Sequence, residues 1–157
     1  MPLSIDELRA KVEEYRGKGL NSQQIADELS LSQTTIQWLS SSNVPTDGDS
    51  PQDIRVGWRS VAVKAARVEA VSFVFCDIID EEIDDDVDTV AGISINGIPF
   101  AQAIASQMDL ELAICRTISE SEGGHLSDVF ASVGGKRVVV IDDVVSSGST
   151  MRRTVQQ

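Results

Sequence analysis

Residues 137–150, RVVVIDDVVSSGST, place the strongest limit on what this chain can fold into. An apolar stretch ends in two adjacent acids, Asp142 and Asp143, and a loop of small residues then leads into a helix that starts at Ser149. Unbroken apolar strands are typical of parallel sheets covered on both faces. Ligands of such sheets bind beyond the carboxyl ends of the strands. The segment therefore predicts a parallel α/β sheet with a ligand site at the acid pair.

The chemistry of this loop suits a phosphorylated ribose. Backbone N–H groups of a small-residue loop, together with the positive end of the next helix, can hold a phosphate. Glycine in the loop allows a close approach or a positive φ, and the two acids can accept hydrogen bonds from ribose hydroxyls. The alternative is a strand–turn–helix without a ligand. The residues predicted to bind phosphate and ribose are Asp142, Asp143, Ser146, Ser147, Gly148, Ser149 and Thr150.

The segments before this loop alternate between strands and helices. Such alternation is typical of a parallel sheet with covering helices. The patterns predict one helix over about 60–82, a strand over 89–95, a helix over 99–107, a strand over 110–115, a polar loop over 117–127 and a strand over 136–141.

Two segments carry a resemblance to a known family. Residues 137–150 resemble the phosphoribosyl pyrophosphate signature of the type I phosphoribosyltransferases. Residues 90–105, VAGISINGIPFAQAIA, resemble that family's pyrophosphate loop and the helix behind it; where the orotate enzymes usually read GGIP, this chain reads NGIP. The resemblance covers residues 54–157. It implies that the pyrophosphate loop consists of Ser94, Ile95, Asn96 and Gly97.

The family's catalytic loop is poorly matched. By resemblance it corresponds to residues 115–125, CRTISESEGGH, in which only Arg116 and His125 match. The lysines that stabilise the pyrophosphate leaving group are absent, and losing one such donor can slow a reaction by ~100-fold or more. We therefore favour a protein that is not an enzyme. An orotate-type phosphoribosyltransferase acting in nucleotide synthesis is the alternative, and a remnant without activity is the third possibility.

The pattern of residues 4–40 predicts three helices, capped by Ser4, Asn21 and Ser32. The second and third helices are joined by only Ser30 and Leu31, so they must cross sharply. This segment resembles the helix-turn-helix of many bacterial and archaeal regulators, in which glycine is common where Ser30 stands. Residues 54–58 could add a strand of a wing.

The resemblance implies that the third helix lies in a major groove of DNA. Three residues are then expected to contact bases, and two basic residues to contact phosphates. The alternative is a three-helix bundle for protein contact or dimerisation, which the lack of Lys and Arg in the third helix favours. The predicted DNA-binding residues are Gln33, Thr34, Gln37, Arg16 and Lys18.

The net charge of −12 also bears on DNA binding, because an acidic surface repels nucleic acid. Either the protein does not bind DNA, or it works in high salt, which screens charge. We favour a salt-adapted protein, as from a halophile. No apolar run approaches a membrane span, and the N-terminus does not resemble a secretory signal. A cytoplasmic protein without a membrane partner is expected.

The sequence predicts neither a metal site nor a required cofactor. Two cysteines and one histidine show no metal-site spacing, so no metal site is predicted. No cofactor is required, although magnesium could accompany a pyrophosphate ligand. Glu120 and Glu122 could bind it, but the favoured interpretation of these two residues is a solvated acidic loop.

The predicted organisation is a helix-turn-helix domain over 1–42, a linker over 43–53 and an effector domain over 54–157. The effector domain is expected to be incomplete at its C-terminus, since the family continues with a further strand and helices. The fold class is thus α/β: an all-α helix-turn-helix, with or without a wing, followed by a parallel-sheet phosphoribosyltransferase-like domain.

This combination resembles the orotate-phosphoribosyltransferase-like regulators of archaea, some of which control sugar catabolism. It implies a regulator that binds DNA and a phosphorylated sugar or phosphoribosyl pyrophosphate-like effector. A homodimer is expected, because helix-turn-helix proteins commonly read paired half-sites. An apolar stripe through Val61, Val68 and Phe75 could form the dimer or belong to the domain core.

Overall fold

The structure, a computed structural model, describes residues 3–41, 57–83, 86–119, 123–145 and 148–156. The predicted linker over 43–53 and most of the predicted wing strand lie outside these ranges. The chain divides into two compact units, Met1–Gly57 and Trp58–Gln157. In the part of the chain so described, no helix is long and apolar enough to cross a membrane.

The N-terminal unit contains the three predicted helices: α1 (Ile5–Gly17), α2 (Ser22–Leu29) and α3 (Gln33–Ser40). The predicted caps are confirmed, because the side chains of Ser4, Asn21 and Ser32 each accept a hydrogen bond from the third backbone N–H of their helix. In α1 and α2 the side chain of the third residue also accepts a hydrogen bond from the backbone N–H of the cap, which completes a capping box. The helices enclose a small apolar core of Val12, Ile25, Ala26, Leu29, Ile36 and Leu39.

The turn between α2 and α3 is made by Ser30 in the left-handed conformation, with φ 51° and ψ 53°. The N–H of the next residue, Leu31, donates to the carbonyl of Ala26 at 3.0 Å, which closes the end of α2. Glycine is the usual residue here because a Cβ in this region costs roughly 1–2 kcal/mol. The sequence therefore carries a strained residue at the turn of the helix pair.

Replacing Ser30 with glycine is expected to stabilise the N-terminal unit by about 0.5–1 kcal/mol. The gain from relieving the left-handed backbone exceeds the extra freedom that glycine gives the unfolded chain. Thermal unfolding followed by circular dichroism measures the effect. Ser40→Gly is the control: Ser40 lies in the last turn of α3, where glycine weakens the helix. Equal melting temperatures for Ser30→Gly and the unmodified protein would show that Ser30 is not strained.

The C-terminal unit is a four-stranded sheet with helices packed against it. Its strands are β1 (Thr89–Ile93), β2 (Glu111–Ser119), β3 (Gly123–Leu126) and β4 (Val138–Ile141). Their order is β3-β2-β1-β4; β1 is parallel to both β2 and β4, and β3 is antiparallel to β2. The helices are α4 (Arg59–Ala62), α5 (Ala65–Glu82), α6 (Gly97–Met108) and α7 (Ser149–Val155).

Two predictions for this unit are wrong. The single helix over 60–82 is two helices, because Lys64 is extended, with φ −131° and ψ 118°. The polar loop over 117–127 is instead the end of β2 and the strand β3, so the sheet is mixed rather than wholly parallel. An antiparallel hairpin at a sheet edge tolerates polar residues because it can face water.

The core of the sheet lies around β1, all five residues of which are buried. Helices α5 and α6 pack together and cover this region; the ring of Trp58 lies 5.1 Å from the ring of Phe100. Of the apolar stripe predicted either to form a dimer or to join the core, Val68 is buried in the core cluster and Phe75 packs against it. These two residues are therefore engaged within the unit.

Candidate functional site

The two predicted phosphate-binding loops leave the sheet at the same edge. Strands β1 and β4 are parallel neighbours, and Gly92 is paired with Ile141. The loop at 94–96 therefore begins next to the acid pair, which follows Ile141 directly. This edge contains the carboxyl ends of the parallel strands, where ligands of such sheets bind.

Gly97 brings the two loops into direct contact. A Cβ on this residue would lie 2.5 Å from the carbonyl oxygen of Ile141 and 3.0 Å from the Cα of Asp142. Real Cβ atoms do not approach backbone atoms so closely, so only glycine fits. The N-terminus of α6 is thereby held against the acid pair, and the predicted pyrophosphate and ribose-phosphate residues share one site.

The acid pair is half-buried at the end of β4. The backbone N–H of Asp143 donates to Oδ1 of Asp142 at 2.9 Å, which orients that carboxylate. Gly148 adopts a left-handed conformation, with φ 69° and ψ 8°, and caps α7. Ser149 and Thr150 are the first residues of α7, whereas Ser146 and Ser147 lie outside the described residues.

The predicted pyrophosphate loop forms a tight turn between β1 and α6. The N–H of Ser94 donates to the carbonyl of Cys115 at 2.8 Å, so this amide joins the loop to β2. The peptide bond between Ser94 and Ile95 is cis. The Ile95 side chain is exposed, and Asn96 is half-buried.

Arg116 and His125, the two matches to the family's catalytic loop, face each other across the β2–β3 hairpin. Both are exposed. Paired residues of an antiparallel hairpin point to the same face, so the two side chains are close neighbours. Glu120 and Glu122 lie outside the described residues, and the described residues contain no group of three metal-ligating side chains.

Arg152 lies beside the predicted phosphate loop, although the sequence did not indicate it as a site residue. Its Nη1 lies 3.4 Å from where a Cβ of Gly148 would be, so a cation adjoins the predicted phosphate loop. The available signal was the four-residue spacing, which places both residues on one side of a helical turn. Helix α7 contacts the sheet through a buried hydrogen bond of 3.5 Å between the Cys115 sulfur on β2 and the Thr154 hydroxyl.

In the N-terminal unit, Thr34 and Gln37 are exposed on α3, as a base-reading face requires. Gln33 is half-buried, and its amide donates to Oε1 of Gln23 on α2. In turn, the Gln23 amide donates to Oδ1 of Asp27 at 2.8 Å. Gln33 is thus hydrogen-bonded to α2. Of the two predicted base-reading glutamines, Gln37 is the more accessible to solvent.

The two predicted phosphate contacts differ. Arg16 is exposed near the end of α1. Lys18 is also exposed, but its ammonium forms an ion pair with Glu14 at 2.5 Å and lies 5.2 Å from the centre of the Tyr15 ring. The hydrogen bond between them raises the pKa of Lys18 and lowers the pKa of Glu14. Part of the positive charge of Lys18 is therefore offset within the helix.

Comparison with known proteins agrees with this architecture. The phosphoribosyl transferase domain family matches residues 58–156. Solved structures of the same fold include adenine phosphoribosyltransferase from Saccharomyces cerevisiae, with a TM-score of 0.56, 14% identity and coverage of 83% of this chain and 77% of that one. UMP synthase from Leishmania donovani has a TM-score of 0.54 and 22% identity, over 74% of this chain and 24% of that one. Identities this low show the fold alone.

Relatives with both units are regulators. The transcriptional regulator GfcR of Thermoplasma acidophilum is 44% identical over 155 residues, which are 97% of this chain and 78% of that protein. GfcR of Picrophilus torridus is 38% identical over 98% of this chain and 80% of that protein. The predicted resemblance to archaeal regulators is thus confirmed: the chain belongs to the GfcR family of transcriptional regulators and carries a phosphoribosyl transferase domain at residues 58–156.

Proposed function

We propose that this protein is a DNA-binding regulator of sugar catabolism whose phosphoribosyl transferase domain binds a phosphosugar or phosphoribosyl effector. The observation that carries the effector proposal is the close approach of Gly97 to Ile141 and Asp142, which brings together the two loops predicted to bind phosphate. As a DNA-binding protein, it acts in the cytoplasm.

Each part of the site has a role in this proposal. Asp142 and Asp143 accept hydrogen bonds from the ribose hydroxyls, and the start of α7 with Arg152 receives the 5-phosphate. Ser94 to Gly97 face a pyrophosphate or second phosphate. Magnesium, where a pyrophosphate ligand brings it, would take most of its oxygen ligands from phosphate and water.

Binding does not require turnover, because a site can hold a substrate without favouring its transition state. One observation favours the enzyme as a second candidate: Arg116 and His125, the two matches to the catalytic loop, are cross-strand neighbours. Against it, the segment 115–125 contains no lysine to stabilise a leaving pyrophosphate.

We therefore expect negligible transfer of the phosphoribosyl group to orotate. A steady-state assay with orotate, phosphoribosyl pyrophosphate and magnesium measures it, with a known orotate phosphoribosyltransferase as the positive control. Turnover at an ordinary enzymatic rate of ~1 per second or more would establish the enzyme instead.

For DNA recognition, Gln37 is proposed to read bases from the exposed face of α3, since glutamine can pair with adenine in the major groove. Gln37→Ala is expected to relax sequence preference by about 1–3 kcal/mol at one position. Selection from a library of DNA sites, in high salt to screen the acidic surface, measures the preference.

Gln102→Ala is the matched control, because Gln102 is an exposed helical glutamine of the other unit. If both variants keep the preference of the unmodified protein, α3 is not the reading helix and the alternative of a protein-contact bundle gains. Arg16→Ala and Lys18→Ala are expected instead to weaken binding to all sequences. Two half-sites would be read by a homodimer.

A further inference from the structure

We propose that the outer face of α5, through Arg67, Ala70, Val74, Ile78 and Glu81, is the surface on which a second copy of this chain docks, with the two helices antiparallel. This inference gives the homodimer of the proposed function an interface. It rests on that function only for the dimer itself, not for the effector or for DNA.

The outer face of α5 is more apolar than a helix in contact only with water would be. The inner face of α5 packs against the core, and its four buried residues are Val68, Ser72, Cys76 and Ile79. On the outside, Phe73, Val74 and Ile78 expose 68%, 56% and 45% of their surface. Clustered exposed apolar side chains mark interaction sites, and three of them lie within two turns of one helix.

The charges along α5 run against the dipole of the helix. Helices favour acids at the N-terminus and bases at the C-terminus. Around α5 the order is reversed. The exposed basic residues before α5 or in its first turn are Arg59, Lys64 and Arg67. The exposed acids in its last two turns are Asp77, Asp80, Glu81 and Glu82.

This order is unfavourable in a single copy but complementary in an antiparallel pair. A two-fold axis through Val74 places each residue before it opposite the residue equally far behind it on the partner. Arg67 and Glu81 both lie seven residues, or about 10 Å, from Val74. They therefore face each other twice across the axis, with apolar side chains between them.

Both charges are available for such a pairing. Arg67 donates to the carbonyl of Ser60 at 2.5 Å, which leaves its charge unneutralised. Neither Arg67 nor Glu81 forms a salt bridge within the residues that the structure describes.

Sedimentation equilibrium of the full chain tests the surface. The unmodified protein is expected to form a dimer, and Val74→Glu to raise its dissociation constant at least tenfold, because two like charges would meet at the axis. Far-UV circular dichroism should stay unchanged, because Val74 is exposed in the single copy and its replacement leaves the fold of the unit intact. Val129→Glu is the control: Val129 is 85% exposed and lies outside α5. It should leave the dimer intact.

A charge swap identifies the partner as a second copy in this orientation. Arg67→Glu alone and Glu81→Arg alone are each expected to weaken the dimer, and the double variant to restore it to within threefold. A dimer insensitive to Val74→Glu, or a double variant as weak as the single ones, would overturn the proposed surface while leaving the proposed function standing. A monomer at all concentrations would overturn the surface and the proposed homodimer together.

Discussion

Gly97→Ala is expected to destabilise the C-terminal unit by about 2–3 kcal/mol, the upper part of the range for overpacked interiors. The added methyl would lie 2.5 Å from the carbonyl oxygen of Ile141 and 3.0 Å from the Cα of Asp142. Both neighbours are backbone atoms, one in the last residue of β4 and one in the residue after it. Backbone atoms cannot change rotamer to make room, as a side chain can. The substitution must push α6 away from β4 and so separate the two loops that are proposed to bind phosphate.

Urea unfolding followed by circular dichroism measures the loss of stability. Gly134→Ala is the matched control, because nothing lies within 4 Å of a Cβ at Gly134 and its φ is not positive. We expect the control to change the free energy of unfolding by less than about 0.5 kcal/mol. Equal stabilities for the two variants would show that α6 and β4 are not as close as the structure has them.

Asp142→Asn combined with Asp143→Asn is expected to weaken binding of a phosphoribosyl ligand by ~100-fold or more. Hydrogen bonds to charged groups contribute about 1.5–3 kcal/mol each, and each 1.4 kcal/mol is tenfold in affinity. Asparagine keeps the shape of the side chain but replaces the charged acceptor with a weaker, neutral one.

Calorimetry with phosphoribosyl pyrophosphate and with ribose 5-phosphate measures this affinity. Asp128→Asn is the control, since Asp128 is exposed and follows β3, which is at the opposite edge of the sheet from β4. Affinity that is unchanged in the double variant, or tighter because charge repulsion has been removed, would contradict the assignment of the acid pair to the ribose.

The local parts of the fold could be predicted because their signals are local. The caps at Ser4, Asn21 and Ser32 were predictable because a polar cap and the third residue of its helix are neighbours in sequence. The apolar strand and acid pair of 137–143 predicted β4 and its end.

What could not be predicted depends on contacts between distant segments. The close approach of Gly97 to Ile141 follows from the pairing of β1 with β4, which residues 44 positions apart do not reveal. The strand β3 was missed because its first residues, Gly123 and Gly124, and the polar run before them are typical of loops. The polar partner of Gln33 could not be foreseen, because Gln23 reaches it only through the crossing of α2 and α3.

The central claim, that DNA binding by this protein responds to a phosphorylated sugar, is tested most directly by one titration. The DNA affinity of the full chain for a selected site is measured in high salt, with and without saturating phosphoribosyl pyrophosphate, ribose 5-phosphate or other phosphosugars. We expect at least one of them to change the affinity by fivefold or more, about 1 kcal/mol of coupling or more, and unphosphorylated ribose to have no effect. The response should disappear in the Asp142→Asn/Asp143→Asn variant. No affinity for DNA at any salt concentration, or a DNA affinity that none of these ligands changes, would contradict the account.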